Sequence, residues 1–120
     1  MAGVEVRRLD EPDDTWEFGD AGRSDIVTAD GVMVVRSILE PGWSWVRDIK
    51  PTVAGLENCP LHHREYVVSG RIRYEVVETG DVVEAGAGSY LTIQPGHLAS
   101  VVGDERCVLV DFDEHWPEEE

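Results

Sequence analysis

Glu57-Asn58-Cys59-Pro60-Leu61-His62-His63-Arg64-Glu65-Tyr66-Val67-Val68-Ser69-Gly70 reads as a loop feeding a strand that stops at the turn Ser69-Gly70. Side chains of an extended segment alternate between its two faces. Glu57, Cys59, Leu61, His63 and Glu65 therefore share one face, with Asn58, His62 and Arg64 on the other. A thiol, an imidazole and two carboxylates on one face are a ready set of metal ligands. Pro60 interrupts the alternation, so Glu57 can be read either as a direct ligand or as an outer partner that orients an imidazole. A register shift of one residue would bring in His62 instead of His63.

Outward from this stretch, short runs rich in β-branched residues predict strands at 32–39, 65–68, 71–77, 90–93 and 107–112. The breaks between them are turn formers: Pro41-Gly42, Gly55, Ser69-Gly70, Thr79-Gly80-Asp81, Gly86 to Gly88, Pro95-Gly96 and Gly103-Asp104. No helix-period segment of useful length interrupts the pattern, and regular strand spacing points to an all-β sandwich or closed barrel. Closure would also remove sheet edges that invite aggregation. The N-terminal stretch up to about residue 23 combines one expected strand at 4–9 with an acidic, Pro-containing segment, and Trp16 and Phe18 are the residues to pin it to the barrel.

At 120 residues the chain has the size of one domain, able to bury a core without disulfides. We expect a single domain over 1–120, with an N-terminal extension of about 1–23 and an acidic tail at 113–120. No run approaches the roughly 18 consecutive apolar residues of a membrane span. The opening MAGVEVRRLDEPDD lacks the apolar stretch of a signal peptide, so a cytoplasmic location is expected. The net charge of −15, from 25 acidic and 10 basic residues, opposes binding to phosphate backbones and argues against a nucleic-acid partner. Cys107 lies in an apolar run and reads as a small buried hydrophobe, whereas Cys59 is flanked by polar and imidazole groups.

A further imidazole comes from Ile93-Gln94-Pro95-Gly96-His97, where a turn delivers His97 to the start of the next strand, at 98–102. A divalent transition metal is the expected cofactor. Cys59, His63 and His97 suit zinc best, since thiolate and imidazole are its preferred ligands, with iron or nickel as alternatives, the other reading of Cys59 and His63 being a hydrogen-bonded pair in a dry pocket. Three protein ligands would leave a position for a small molecule, and Glu57 as a fourth would close the site.

At these residues the chain resembles the cupin superfamily, and within it small single-domain cupins. The resemblance runs through Glu40-Pro41-Gly42-Trp43-Ser44-Trp45, Lys50-Pro51, Cys59-x-x-x-His63 closing at Gly70, Gly88 leading to Pro95-Gly96-His97, and Val101 to Glu105. It implies a jelly-roll, double-stranded β-barrel. Familiar cupins carry two histidines one residue apart, then a glutamate, then a glycine. Counting back from Gly70 puts His63 at the glutamate, Cys59 at the second histidine and Glu57 at the first, so the positions fit while the ligand types differ. In the second motif Ala99 takes the usual histidine place. The metal role passes to His97, because a histidine directly after Pro-Gly is usual in the small subgroup. A homodimer is implied as well.

Glu65 is the candidate catalytic residue: a carboxylate inside a barrel beside a metal would be desolvated and able to act as general acid or base, the alternative being an ion pair to Arg71, Arg73 or Lys50. Trp43 and Trp45 share a face and are expected in the pocket wall or core, and Lys50 and Arg47 read either as cations that meet an anionic substrate or as surface charges that offset neighbouring acids. Two functional readings follow. One is a metal-dependent protein acting on a small molecule in the barrel mouth. The other is a non-catalytic module in which the ion or a small ligand serves structure or sensing and the protein works by association.

Overall fold

The computed structural model describes residues 3–112 and is built of antiparallel strands. In chain order these are β1 (Asp14–Glu17), β2 (Gly22–Ala29), β3 (Val32–Leu39), β4 (His63–Ser69), β5 (Arg71–Val76), β6 (Val82–Gly86), β7 (Tyr90–Ile93), β8 (His97–Val101) and β9 (Cys107–Phe112). They form a six-stranded sheet in the order β1-β2-β3-β9-β4-β7 and a three-stranded sheet in the order β6-β5-β8. Short helical turns at Gly19–Ala21, Trp45–Ile49 and Lys50–Thr52 are the other regular elements among the described residues.

Alternation decides which side chains enter the core. Along β4, His63, Glu65 and Val67 are buried while Arg64, Tyr66 and Val68 are exposed. Ile72 and Tyr74 of β5 and Cys107, Leu109 and Asp111 of β9 follow the same period. The core therefore draws on both sheets, with Leu39, Val67 and Leu109 from one and Ile72, Tyr74 and Ala85 from the other. Each fully buried aliphatic side chain, such as Val67 and Ile72, stabilises the fold by about 1.5–3 kcal/mol. Between β4 and β5 the chain passes from one sheet to the other at Gly70, whose φ of +78° favours glycine. A Cβ there would also lie 2.5 Å from the carbonyl oxygen of Arg106.

The expected strand at 4–9 does not form. Val4 and Val6 are 74% and 78% exposed, so their alternation has no face to bury. Arg7 instead bonds the carbonyl of Thr28 and the carboxylate of Asp13. The first strand is β1, within the acidic segment, where Trp16 faces Ser24 across the ladder and packs with Phe18 against the core. Burial of two aromatic rings outweighs the low strand propensity of the flanking acids. β2 and β6 were not among the predicted strands. Residues 113–120, the expected acidic tail, lie outside the described residues.

Candidate metal centre

Cys59 precedes β4 but is held by β8. Its N–H donates to the carbonyl of His97 at 2.8 Å, and the N–H of Gly96 donates to the carbonyl of Cys59 at 2.8 Å. This bridge fixes Cys59 beside His97, at the start of a strand of the three-stranded sheet. His63 approaches from the six-stranded sheet, where it pairs with Ile93. The sulfur of Cys59 is 3.8 Å from Nε2 of His63, and the rings of His63 and His97 stand 4.9 Å apart between centroids. The donor atoms of Cys59, His63 and His97 all lie within 4.8 Å of one another, and all three residues are buried.

Hydrogen bonds orient both rings. His97 Nδ1–H donates to the carbonyl of Gln94 at 2.8 Å, which leaves Nε2 with its lone pair. His63 Nδ1 is 3.1 Å from Oδ1 of Asp111, and a carboxylate accepts, so the lone pair of His63 is on Nε2, the atom nearer Cys59. Burial pushes His97 down to about 4, so its ring is neutral and able to ligate at physiological pH. A thiol and two imidazoles match the donor chemistry of zinc and related divalent transition ions.

A second buried cluster, Glu65 with Asp111 and the shared His63, adjoins the first. Glu65 is 1% exposed and faces Asp111 across the β4–β9 ladder. Tyr74 donates to Oε1 of Glu65 at 2.5 Å, tying the two sheets together through the interior. Burial, with the negative charge of Asp111 added, pushes Glu65 well above the usual carboxylate range. Burial likewise raises Tyr74, so it stays a phenol and a donor.

These groups line one side of a cavity of about 80 Å³, whose remaining wall, apart from Ser37, is apolar and includes Trp43, Trp45, Ile49, Leu61 and Ala99. Trp16 and Phe18, in edge-to-face contact at 5.1 Å, complete it. Glu57 does not join the cluster: its side chain is 78% exposed and accepts from Nζ of Lys50 at 2.9 Å. Alternating burial runs through Pro60, from Cys59 and Leu61 to His63, but Glu57 and Asn58 form a bend before it, and a carboxylate at the surface next to a lysine has no reason to lose its hydration. Lys50 therefore does not line the cavity either. His62 is exposed, on the face opposite His63. Asp111 and Tyr74 were not anticipated, although their parity with buried Leu109 and Ile72 marks them as inward.

No family model matches the sequence, and no curated protein does. Solved structures do match in fold. An RmlC-like cupin from Shewanella frigidimarina superposes with a TM-score of 0.62 at 16% identity, covering 97% of this chain and 96% of that one. The polyketide cyclase RemF from Streptomyces resistomycificus gives 0.62 at 13% identity, covering 92% and 79%. Fe(II)-HppE with an alternative substrate gives 0.58 at 9% identity, covering 92% of this chain and 60% of that one. With its antiparallel sheets closing on a shared interior, the chain is a small protein of the cupin fold.

Proposed function

We propose that the protein binds a divalent transition metal, zinc by preference, through Cys59, His63 and His97, and acts on a small molecule held in the adjoining cavity. The observation that carries this reading is the convergence of three buried donors at one wall of an apolar pocket, while the fourth candidate, Glu57, stays at the surface. A three-donor set leaves room for a molecule from the pocket. When bound, such an ion supplies Lewis acidity to an oxygen or nitrogen of that molecule. Asp111 keeps the His63 ring turned, Glu65 holds or moves a proton beside the site, and Trp43 and Trp45 exclude water from it.

The two cysteines are free and buried, which suits a thiol ligand kept reduced in the cytoplasm. We also propose a homodimer, supported by Tyr66 and Tyr90, which face each other on β4 and the edge strand β7 and are 42% and 60% exposed. Sedimentation velocity tests this, and a monomer at all concentrations overturns it.

Cobalt(II) substitution tests the site. The expected spectrum carries a near-ultraviolet sulfur-to-cobalt band that vanishes in Cys59→Ser, together with visible bands that change when azide is added. An azide-insensitive spectrum means a closed site and contradicts action on a small molecule. No sulfur band in the wild type contradicts the ligand set.

A further inference from the structure

The wall chemistry restricts what the pocket can hold. Among the described residues lining it there is no lysine or arginine, and its ionisable groups other than the metal-site donors and Tyr74 are the acids Glu65 and Asp111. The cations closest in sequence to the tryptophans are engaged elsewhere, Lys50 with Glu57 and Arg47 with Asp48. A net charge of −15 adds a general repulsion of anions. In the metal-free protein an ionised carboxylate or phosphate entering such a wall loses its hydration and gains no cationic side chain in return, and a bound divalent ion would be the one cation on offer to it. Three of the lining residues are tryptophans, Trp16, Trp43 and Trp45, joined by Phe18, so the wall offers aromatic as well as aliphatic surface to a ring.

We infer that the protein wall of this pocket selects an uncharged aromatic molecule, and not a sugar acid or a phosphate ester. The inference deepens the reading of the same site given above. At about 80 Å³ the cavity is smaller than the roughly 150 Å³ that takes up a benzene, so a ring lies toward the half-buried Trp16, Phe18 and Val53 and only its substituent reaches the metal donors.

Benzamide and benzoate share size and shape and differ in charge, so they separate recognition of the ring from recognition of an anion. Both are titrated into the EDTA-treated protein and the zinc-loaded protein, with indole N–H resonances followed by ¹H–¹⁵N correlation spectroscopy, and methyl galactopyranoside and phenyl phosphate as further probes. For the metal-free protein the expected result is saturable shifts of tryptophan indole signals with benzamide and at least about tenfold weaker binding of benzoate. Placing a cation in the wall with Val53→Lys is expected to narrow or reverse that preference. Benzoate or phenyl phosphate binding the metal-free protein as tightly as benzamide overturns the inference, as does a response to the sugar alone. Zinc stoichiometry on the same samples separates the outcomes: benzamide selectivity without zinc binding contradicts the metal reading only, and zinc binding without benzamide selectivity contradicts the ligand class only.

Discussion

Asp111→Asn and Asp111→Ala probe how the metal donors are oriented. Asp111 is 3% exposed and its Oδ1 lies 3.1 Å from Nδ1 of His63. A hydrogen bond to a charged partner contributes about 1.5–3 kcal/mol. Loss of the carboxylate behind a ligating histidine typically lowers metal affinity by about 10–100-fold, which is about 1.4–2.7 kcal/mol. The two ranges overlap. Asparagine keeps an acceptor of the same shape without the charge, so zinc affinity should fall by about tenfold; alanine leaves Nδ1–H buried without this acceptor, so the fall should approach about 100-fold. An opposing effect acts on the metal-free fold. The charge of Asp111 helps push Glu65 upward, and removing it relieves that repulsion. Metal-free Asp111→Asn should therefore unfold in urea at a midpoint close to wild type. Zinc affinity is measured by competition with a chromophoric chelator, with urea unfolding alongside. Both variants folded and binding zinc within about twofold of wild type would refute the reasoning.

Tyr74→Phe removes the 2.5 Å bond to Glu65 inside a buried site and should cost about 1–3 kcal/mol in thermal or urea unfolding while leaving zinc affinity nearly unchanged. The fold holds His97 neutral down to about pH 4, whereas an unfolded histidine takes up its proton near 6.5, so this contribution is intact above about 6.5 and lost as pH falls toward 4. Its size is about 3 kcal/mol, visible as a falling urea midpoint of metal-free protein over that window and absent from His97→Gln. Glu65 has the opposite sign, since its raised value gives stability that is lost as pH rises through it. Gly70→Ala meets both an unfavourable φ and the backbone of Arg106 and Cys107, and should cost about 3 kcal/mol or more, against about 1–2 for Gly80→Ala, where φ is also +78° but nothing lies within 4 Å. Urea unfolding of the pair checks this, and equal costs would contradict the close approach.

Period-two alternation made the interior legible wherever a strand is half buried. It placed Cys59, His63 and Glu65 on one face, and the structure has all three buried. The turn at Pro95-Gly96 brings His97 to them because the loop before β4 forms a bridge to the start of β8, a pairing between residues far apart in sequence. Glu57 is where alternation failed, since the chain bends at Glu57 and Asn58, before the extended segment starts at Cys59, and Lys50 holds the carboxylate outside. Asp111 was within reach of the same rule, two residues beyond Leu109 on a strand that the sequence marked, but a single acid at a strand end carries no local metal signal. Trp16 was legible as an anchor of the N-terminal segment, and it packs on the core, but its place in the pocket wall depends on how β1 lies against the barrel, which no local pattern records. Which strands meet across the interior depends on the strand order of two sheets, and only that order brings Tyr74 to Glu65.

Metal content bears most directly on the Cys59–His63–His97 centre. Untagged protein, Cys59→Ser and His97→Ala are purified in parallel and their metals counted by inductively coupled plasma mass spectrometry. The expected result is near-stoichiometric metal in the wild type, zinc above others, and its loss in both variants while their circular dichroism stays that of a β protein. A wild type that purifies without metal and binds none when zinc, iron, nickel or cobalt is offered would contradict the metal centre.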